Sequence, residues 1–324
     1  MVKLIWRTDV HMSDRTPQSR TDTWKDTLAG KLYQVGEIAR DVGAEAVIDG
    51  GDFFDIKSPS RNSHDLVRLV ADIHSKYPCP VYGNIGNHDC VYGDYSYIDQ
   101  QPLGVLFSTG VFHRLYDEYE AKFETFRRGS PGTKVRVVGI PYHGTKYDLD
   151  RFKNIKKGDE DYLMVVAHVL ASKKGGSMFE NEDIIKYADL AGLDPDVWCF
   201  GHWHKDQGVE EIADGKYVVN VGSLSRGALS MDDTERRPCC VELGFASSGV
   251  TITRHDLDIR PADEVFDMDG RVRAEARSSM REDFIDSLKE TLTSDSHTPL
   301  RDVIRGMDIP DEVKERAALY LEQA

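Results

Sequence analysis

Short apolar runs recur along the first two-thirds of the chain, and a cluster of Gly, Asp, Asn or His follows almost every one. Runs of this length, rich in β-branched residues and bounded by turn residues, predict buried strands. The runs are Val2–Trp6, Ala44–Ile48, Pro80–Tyr82, Tyr162–Ala167, Val197–Phe200 and Lys216–Val221. We therefore expect a sheet whose strands end in polar loops.

Apolar positions at helical spacing fill two of the intervals between these runs. They lie within Trp24–Val42 and Ser63–Lys76, and they predict two amphipathic helices. Alternation of strands with helices indicates a layered α/β protein. The later segment Tyr217–Asp258 instead has the pattern of consecutive strands with few helices. The sheet is therefore expected to be mixed or doubled.

The pattern changes after about Asp258, where three amphipathic stripes follow one another. The last stripe begins after Pro310, and proline is favoured in the first turn of a helix. We predict two domains, a main domain over residues 1–258 and a short helical C-terminal appendage over residues 259–324.

Composition is that of an ordinary globular protein, with 40% hydrophobic residues and a mean hydropathy of -0.47. No apolar run approaches the roughly 20 residues of a bilayer-spanning helix, and the apolar stretch near Met1 is too short for a signal peptide. A cytoplasmic location without a membrane partner is therefore expected. The five cysteines show no C-x-x-C spacing, which argues against a zinc finger or a disulfide framework.

Charge is distributed unevenly over a chain whose net charge is -15. Such a charge argues against a surface that wraps nucleic acid everywhere. The segment Lys122–Lys157 nevertheless carries ten Lys/Arg against three Asp/Glu, whereas residues 259–324 carry ten against sixteen. The basic segment could contact a phosphate backbone or could be a solvated loop face.

Potential metal ligands fall at, or shortly after, the ends of the predicted strands. A lone histidine is usually structural, but this set is large: Asp9, His11, Asp52, Asn87, His88, His168, His202 and His204. The carboxyl edge of an open α/β sheet is where ligand sites form. The pair His202 and His204 is a strong signal on its own, because alternate residues of an extended segment point to one side.

The donor types of this set favour divalent transition metals. Carboxylate, imidazole and amide oxygen suit Mn²⁺, Fe²⁺ or Zn²⁺, whereas an all-oxygen Mg²⁺ or Ca²⁺ site has no need of several histidines. The number of ligands exceeds the needs of one ion. Two metals that share a bridging carboxylate are therefore expected, and such sites hydrolyse phosphoesters.

In this order, the motifs D-x-H, G-D-x-x-D, G-N-H-D, a lone H and G-H-x-H resemble the calcineurin-like metallophosphoesterase superfamily. They extend from Asp9 to His204, and all five are intact. The resemblance implies an α/β fold in which a two-sheet sandwich is flanked by helices. By matching positions, it implies that one metal would be held by Asp9, His11, Asp52 and His204. The other would be held by Asp52, Asn87, His168 and His202, with Asp52 as the bridge.

The same resemblance implies roles for residues that hold no metal. His88 would face the scissile phosphate, and Asp89 would orient His88 or else serve only as a turn residue. Asp55 would support the ligands from behind or end its loop. Ser223 and Arg226 lie where the superfamily has a Gly-Ser turn lining the site. Both are therefore predicted to bind substrate, although Arg226 could instead form a surface ion pair.

Within the superfamily, the chain is most similar to the SbcD-type DNA repair nucleases, which work with an SMC-like ATPase. The similarity rests on G-D-F-F-D followed by Ser58-Pro59-Ser60, on a helical stretch over Pro102–Ser108, and on the C-terminal pattern from Asp308 to Lys314. It implies a nuclease that depends on two divalent ions, most readily Mn²⁺, with Zn²⁺ or Fe²⁺ as alternatives. The implied partners are DNA, the ATPase and a second copy of the chain, in a bacterial or phage-infected cell.

In that family a homodimer face is formed by helices in this region. It would correspond here to Leu66, Val70, Ile73, Leu103, Leu106 and Phe107, which could equally pack on the chain's own core. Asp55 stands where some members have a second histidine, so a preference for exonuclease or endonuclease cleavage stays open. Two other functions also stay open: a phosphodiesterase or phosphatase for small molecules or phosphoproteins, and a non-catalytic interaction module.

Overall fold

Two six-stranded sheets lie face to face between layers of helices in this computed structural model, which describes residues 1–91, 94–125, 132–175, 181–270 and 314. The first sheet has the order β14 (Gly249–Asp256), β13 (Cys239–Ala246), β1 (Val2–Arg7), β2 (Ala46–Asp49), β3 (Val81–Gly83) and β4 (Phe112–Arg114). The second has the order β11 (Gly208–Ala213), β12 (Lys216–Asn220), β10 (Val197–Gly201), β7 (Tyr162–His168), β6 (Lys134–Ile140) and β5 (Ala121–Glu124). A short ribbon pairs β8 (Ala171–Ser172) with β9 (Ile185–Lys186).

The helices cover the outer faces of the sheets. In the described residues they are α1 (Trp24–Val42), α2 (His64–His74), α3 (Pro102–Ser108), α4 (Leu149–Lys153), α5 (Tyr187–Leu190), α6 (Met231–Glu235) and α7 (Ala262–Val265), with 3-10 turns at Pro59–Arg61 and Tyr95–Gln100. Helix α1 ends at Gly43, whose φ of 67° closes the helix in the left-handed conformation. Helix α2 begins where the Ser63 hydroxyl accepts a hydrogen bond from the Leu66 N–H.

Three apolar cores follow from this layering. Because successive side chains of a strand point to opposite faces, Leu4 and Trp6 of β1 pack between the two sheets, whereas Ile5 packs against helices α1 and α2. A third core lies on the outer face of the second sheet, where Trp198 meets Phe152 of α4. The central strands β2, β7 and β10 are almost entirely apolar because both of their faces are buried.

The centre of each sheet is parallel. Strands β1 to β4 run parallel in the first sheet, and β6, β7, β10 and β12 run parallel in the second. The antiparallel strands β13, β14, β11 and β5 complete the edges. The sequence prediction of an α/β two-sheet sandwich flanked by helices is confirmed, and both sheets are mixed. The parallel strands bring their following loops to common edges.

Of the two alternatives for the residues of the suggested dimer face, packing on the chain's own core is the one that the structure shows. They are at most 8% exposed and belong to the chain's own core between the first sheet and the helices: Leu66, Val70, Ile73, Leu103, Leu106 and Phe107. Their helical spacing is that of any helix that packs on a sheet, so the pattern could not separate the two possibilities.

The chain divides into a compact unit, Met1–Phe266, and a second unit, Asp267–Ala324. Most of the second unit lies outside the described residues, and so does most of the predicted helical appendage. The predicted domain boundary at residue 258 stays a prediction. None of the helices in the described ranges has the length and apolar character of a membrane span.

A buried charge network joins the first strand to helix α2. The Arg7 guanidinium is fully buried, and it donates to the Asp49 carboxylate at 2.8 Å and to the Tyr77 hydroxyl at 3.0 Å, with His74 Nε2 at 2.8 Å. Each nitrogen of the guanidinium thus has a partner. A charged group can remain in a protein interior when its hydrogen-bond donors all have partners and a counter-ion is present.

Removal of the Arg7 counter-ion is expected to destabilise the fold strongly. In Asp49→Asn the buried cation loses its charge partner, and breaking a buried pair costs about 3–5 kcal/mol. Urea unfolding measures this loss in the free energy of unfolding. The control Lys156→Ala removes an exposed pair with Asp194 and should cost about 0–1 kcal/mol. A similar small loss for both variants would contradict the assignment.

Candidate metal centre

The loops that follow five parallel strands converge on one site. Asp9 and His11 follow β1, Asp52 follows β2, and Asn87 and His88 follow β3. From the second sheet, His168 is the last residue of β7, and His202 and His204 follow β10. Backbone hydrogen bonds join the first two loops, from the Asp9 N–H to the Gly51 carbonyl at 3.1 Å and from the His11 N–H to the Asp52 carbonyl at 3.0 Å.

Unfavourable backbone conformation is concentrated in these loops. Among the described residues, five that are not glycine have positive φ, and four of these are predicted ligands: Asp9 (53°), His11 (52°), Asp52 (52°) and His202 (88°). Such conformations cost on the order of 1–3 kcal/mol each and persist only where the surrounding structure enforces them. Part of the stability of the fold therefore offsets the backbone strain that orients these four side chains.

Glycines make the close approach of the loops possible. A Cβ atom on Gly86 would overlap the Asp52 carboxylate, and one on Gly51, whose φ is 101°, would lie 2.6 Å from the Gly86 nitrogen. The Gly-Asp and Gly-Asn sequences that mark the motifs are thus required by packing as well as by turn geometry.

The structure brings the first predicted ligand set together. Ligand atoms of Asp9, His11, Asp52 and His204 all lie within 4.8 Å of one another. The Nε2 atoms of His11 and His204 are 2.9 Å apart, and the Asp9 carboxylate lies 3.6 Å from His204 Nε2. Asp9 and Asp52 are almost completely buried, whereas the His204 side chain is 47% exposed.

The second set forms around the same Asp52 carboxylate. Ligand atoms of Asp52, His168 and His202 also lie within 4.8 Å of one another. His168 Nε2 is 3.3 Å from the Asp52 carboxylate and 3.3 Å from the Asn87 amide oxygen. All seven predicted ligands thus surround two neighbouring positions that share Asp52. Metal binding by these individual residues stays a prediction.

The pKa values of the centre are set by the contacts between its buried carboxylates and its buried imidazoles. Burial would raise the pKa of Asp9, but hydrogen bonds to His11 and His204 and the charge of His168 hold it well below its usual range. Burial likewise opposes charge on the imidazoles. Yet hydrogen bonds and charges of Asp55, Asp9 and Asp52 raise the pKa of His11 to about 10, and Asp52 and Asp9 raise that of His168 to about 9. The centre therefore attracts cations, either protons or metal ions.

His88 has the geometry of a residue that faces a substrate. Its backbone N–H donates to the Asp52 carboxylate at 2.7 Å, and its Nδ1 lies 2.6 Å from the Asp55 carbonyl oxygen. A carbonyl only accepts hydrogen bonds, so Nδ1 carries the proton and Nε2 is the nitrogen that can exchange one. The His88 side chain is 41% exposed, and its ring packs edge-on against His11 at 4.8 Å.

Asp89 has the backbone contacts of a turn residue, which is one of the two roles expected for it. Its carboxylate accepts from the N–H groups of Asp52 at 2.8 Å, Gly86 at 2.9 Å and Phe54 at 3.3 Å. No hydrogen bond joins it to the His88 imidazole in the described part of the chain. Asp89 therefore fixes the backbone of two ligand loops, and the Asp55 carbonyl orients His88. Burial and the neighbouring Asp52 charge raise the pKa of Asp89 to about 7.

The predicted substrate contacts of Ser223 and Arg226 are not what the structure contains. The Ser223 hydroxyl is 1% exposed and bonds to the Ser225 carbonyl, while Arg226 is 2% exposed and donates to the carbonyl of Arg260. Their neighbours Ser225 and Gly227 instead line a cleft together with His11, His88 and His204. The turn thus borders the site, but alternate residues point away from it. Arg226 also forms no surface ion pair with any described residue, because its guanidinium is buried.

The structure also adds Glu182, which no motif indicated. Its carboxylate lies 2.9 Å from His202 Nε2 and accepts a hydrogen bond from the Tyr147 hydroxyl at 2.7 Å. The Tyr147 hydroxyl in turn accepts from the Leu170 N–H at 2.9 Å. A carboxylate behind a metal-binding histidine fixes its ring and its tautomer. Glu182 comes from a polar loop without periodicity, so its position depends on tertiary folding alone.

This donor set fits two divalent ions. Two buried carboxylates, an amide oxygen and four imidazoles match the chemistry of Mn²⁺, Fe²⁺ or Zn²⁺, and the shared Asp52 allows the two positions to be close. Bound ions would supply Lewis-acid activation of water and neutralise charge on a phosphoryl group. The residues themselves would hold and orient the ions, and His88 would exchange the proton.

A family model described as calcineurin-like phosphoesterase matches residues 3–206 of the chain. This range contains all five sequence motifs. Among curated proteins, the comparison finds no relative that matches.

Solved structures with a similar chain trace include three proteins of low sequence identity. TT1561 from Thermus thermophilus is 14% identical with a TM-score of 0.44, over 78% of this chain and 98% of that one. A dimetal phosphatase from Danio rerio is 11% identical with a TM-score of 0.48, over 79% and 96%. A purple acid phosphatase from yellow lupin (Lupinus luteus) seeds is 12% identical with a TM-score of 0.48, over 79% and 51%. At these values the likenesses carry no inference about substrate.

The metal-free protein is expected to lose stability as the pH rises. Because the folded pKa of His11 is about 10 and that of His168 about 9, above the usual value of about 6.5, their protonation stabilises the fold fully below about pH 6.5. That contribution disappears as pH rises through the folded values. Urea unfolding of chelator-treated protein between about pH 6.5 and about pH 10 measures the decline.

Asp52→Asn serves as the control for this pH dependence, because it removes a charge that both imidazoles face. The decline should be shallower in this variant. Metal affinity of the wild type should rise over the same pH range, since metal ions compete with protons. Stability that stays constant or increases with pH in the chelated wild type would contradict the expectation.

Replacement of Glu182 is expected to weaken metal binding. Glu182→Gln keeps the size of the side chain but loses the charge that orients His202, and loss of such a partner typically costs about 10–100-fold in metal affinity. Competition with a fluorescent chelator measures the affinity. Glu210→Gln, which removes an exposed carboxylate paired with Lys173, is the matched control. Equal affinities for the two variants would show that Glu182 does not act through His202.

Proposed function

This chain belongs to the calcineurin-like phosphoesterase family, and we propose that it hydrolyses the phosphodiester bonds of DNA. The observation that carries the proposal is the position of His88 beside two ligand groups that share Asp52. Hydrolysis of a phosphoester requires an activated water, stabilisation of charge on the phosphoryl group, and a proton for the leaving oxygen. The site offers a group for each requirement.

An open cleft gives a substrate access to these groups. It has a volume of about 470 Å³, and its lining includes His11, His88 and His204 together with Arg15 and Gln18. The exposed Arg15 guanidinium can contact a phosphate oxygen as a fork donor. An open cleft with a cation at its border accommodates one phosphodiester of a longer chain, whereas most small-molecule sites enclose their ligand.

The division of roles follows from the surroundings of each residue. The carboxylates of Asp9 and Asp52, the Asn87 oxygen and the four ligand imidazoles would hold the ions. His88 would give its Nε2 proton to the leaving oxygen, because its Nδ1 proton is committed to the Asp55 carbonyl. Asp89 would act only on the loop backbones. This role for Asp89 is the turn-residue alternative that the resemblance left open.

The preference for DNA comes from the similarity of the motif flanks to the SbcD-type nucleases. We propose that the chain is the nuclease subunit of a repair or recombination complex with an SMC-like ATPase and a second copy of itself, in the cytoplasm of a bacterial or phage-infected cell. Mn²⁺ is the proposed ion, since it suits mixed oxygen and imidazole ligands, with Zn²⁺ or Fe²⁺ as alternatives.

DNA cleavage assays with Mn²⁺ provide the test. Wild-type protein, with and without its cognate ATPase, is expected to degrade 5′- or 3′-labelled single- or double-stranded DNA. His88→Ala should retain metal and lose about 10²–10⁴-fold in rate, the usual contribution of a general acid. Asp52→Ala should lose both metal and activity. His113→Ala, a change of an exposed histidine on β4, is the control and should cleave normally.

A second candidate is a phosphodiesterase or phosphatase for small molecules or phosphoproteins. It is favoured by the charge of the chain, because the net charge of -15 repels a polyanion. Every described cation of the basic segment Lys122–Lys157 also forms an ion pair with a carboxylate, for example Lys134 with Asp159 and Arg136 with Glu160. The segment therefore resembles a solvated, paired surface.

A panel of chromogenic phosphodiesters and phosphomonoesters separates the two candidates. Fast turnover of a small ester, together with DNA that remains intact under every condition above, would overturn the nuclease proposal in favour of the second candidate. The third possibility, a non-catalytic module, would require a protein that binds no divalent ion, and elemental analysis of purified protein tests it.

A further inference from the structure

A second cavity lies behind the wall of the catalytic cleft. It has a volume of about 190 Å³ and is bordered by helix α1 and by residues Asp258–Val265. The side chains that matter for its chemistry are Arg20, Lys31, Gln34, Arg226 and Arg260. Arg226 is the residue that the sequence placed in the catalytic cleft, and it lines this cavity instead.

Four cationic side chains are buried in and around this cavity. Arg20, Lys31, Arg226 and Arg236 are 6%, 3%, 2% and 9% exposed. Two of them have a counter-ion, because Arg20 pairs with Asp22 at 2.6 Å and Arg236 pairs with Asp233 at 2.8 Å. Buried charges in proteins are normally paired in this way.

Lys31 and Arg226 differ because, in the described part of the chain, all of their hydrogen-bond partners are backbone carbonyls. Lys31 Nζ donates to the Leu224 carbonyl at 2.8 Å. Arg226 donates to the Arg260 carbonyl at 2.8 Å and to the Asp233 carbonyl at 3.4 Å, and its buried Nε has no partner among the described residues. No carboxylate in the described ranges forms an ion pair with either residue. Asp26 and Asp258 also line the cavity, but both are exposed.

The excess positive charge has a physical cost that protein groups only partly offset. Phe266 lies 5.7 Å from the Arg226 guanidinium, and such a contact offsets only a small part of the cost. Lysine can respond by losing its proton: burial and the charges of Arg236, Arg226 and Arg20 lower the pKa of Lys31 well below its usual range. Arginine cannot lose its charge in this way, because it stays protonated in proteins.

We propose that this cavity is a binding site for a small phosphate-type oxyanion, either inorganic phosphate or the phosphate group of a monoester. Arg226 would supply a permanent charge and the planar donor geometry that suits a tetrahedral oxyanion, and Lys31 would supply an ammonium group that the bound anion keeps protonated. The volume is many times the roughly 10–15 Å³ needed for one water, so it can hold such an anion with hydrating waters.

The site is separate from the catalytic centre but shares a wall with it. Ser225 and Gly227 line the catalytic cleft, while Arg226 between them lines the second cavity. Arg20 also donates to the Arg226 carbonyl at 3.0 Å. An anion bound here would fix the turn from behind without contact with the reacting phosphate.

Thermal unfolding of the full chain under phosphate titration tests the proposal. Chelator-treated wild type should gain thermal stability as inorganic phosphate is added, compared with chloride at the same ionic strength, because a ligand that binds only the folded state stabilises it. Lys31→Met and Arg226→Met should each raise the phosphate concentration at half-saturation by about tenfold or more, because each loses a hydrogen bond to a charged ligand. Lys25→Met, a change of a lysine on the same helix that pairs with Asp14, should respond like wild type.

Both variants are expected to fold, because each removes a buried charge that has no counter-ion among the described residues. In phosphate-free buffer their unfolding temperatures should equal or exceed that of wild type. A parallel titration with a nucleoside monophosphate identifies the source: stabilisation by both ligands indicates a monoester site, and stabilisation by inorganic phosphate alone indicates a free-ion site. The proposal is wrong if wild type does not respond, if it responds only with Mn²⁺ present, or if both variants respond as Lys25→Met does.

Discussion

The burial of Asp52 between two groups of imidazoles is the interaction on which the site depends. A carboxylate with almost no exposure to water needs positive charge around it, and here the charge comes from His11 and His168 or from the cations that replace their protons. The strained backbones of Asp9, His11, Asp52 and His202, and the contact of Gly86 with Asp52, all serve to bring these groups together. The sandwich supplies the rigidity, because two parallel sheet centres end at this point.

Three buried charge clusters in this domain differ in how their charge is compensated. Arg7 is satisfied by Asp49, His74 and Tyr77, so it stabilises the fold without a ligand. The carboxylates of the metal centre are compensated by groups that can exchange for metal ions. The cluster around Lys31 and Arg226 carries more positive charge than its protein neighbours offset. What distinguishes a structural cluster from a ligand site is how completely protein groups compensate its charge, more than how deeply it is buried.

Sequence patterns predicted much of the fold and failed at identifiable places. The strands and the helices α1 and α2 were predictable because apolar spacing reflects which faces are buried. The same spacing could not tell a dimer face from a core face, and Leu66 and Val70 proved to be core residues. Closeness to a motif in the sequence also did not indicate the side-chain contacts of Asp89 and Arg226, since residues adjacent in sequence can point to opposite sides of a loop. Glu182 was missed because a polar loop has no periodicity that indicates its contacts.

The sequence by itself determined the α/β class and the residue types of a candidate metal centre, because both depend on local spacing and on the chemistry of individual side chains. Only the tertiary structure decided which side chains share a site. The convergence of loops from two sheets brings Asp52 within reach of both ligand groups, brings Glu182 against His202, and carries Arg226 into a separate cavity. These juxtapositions join residues that are distant in sequence, and they are fixed by the register and twist of packed sheets rather than by any local pattern.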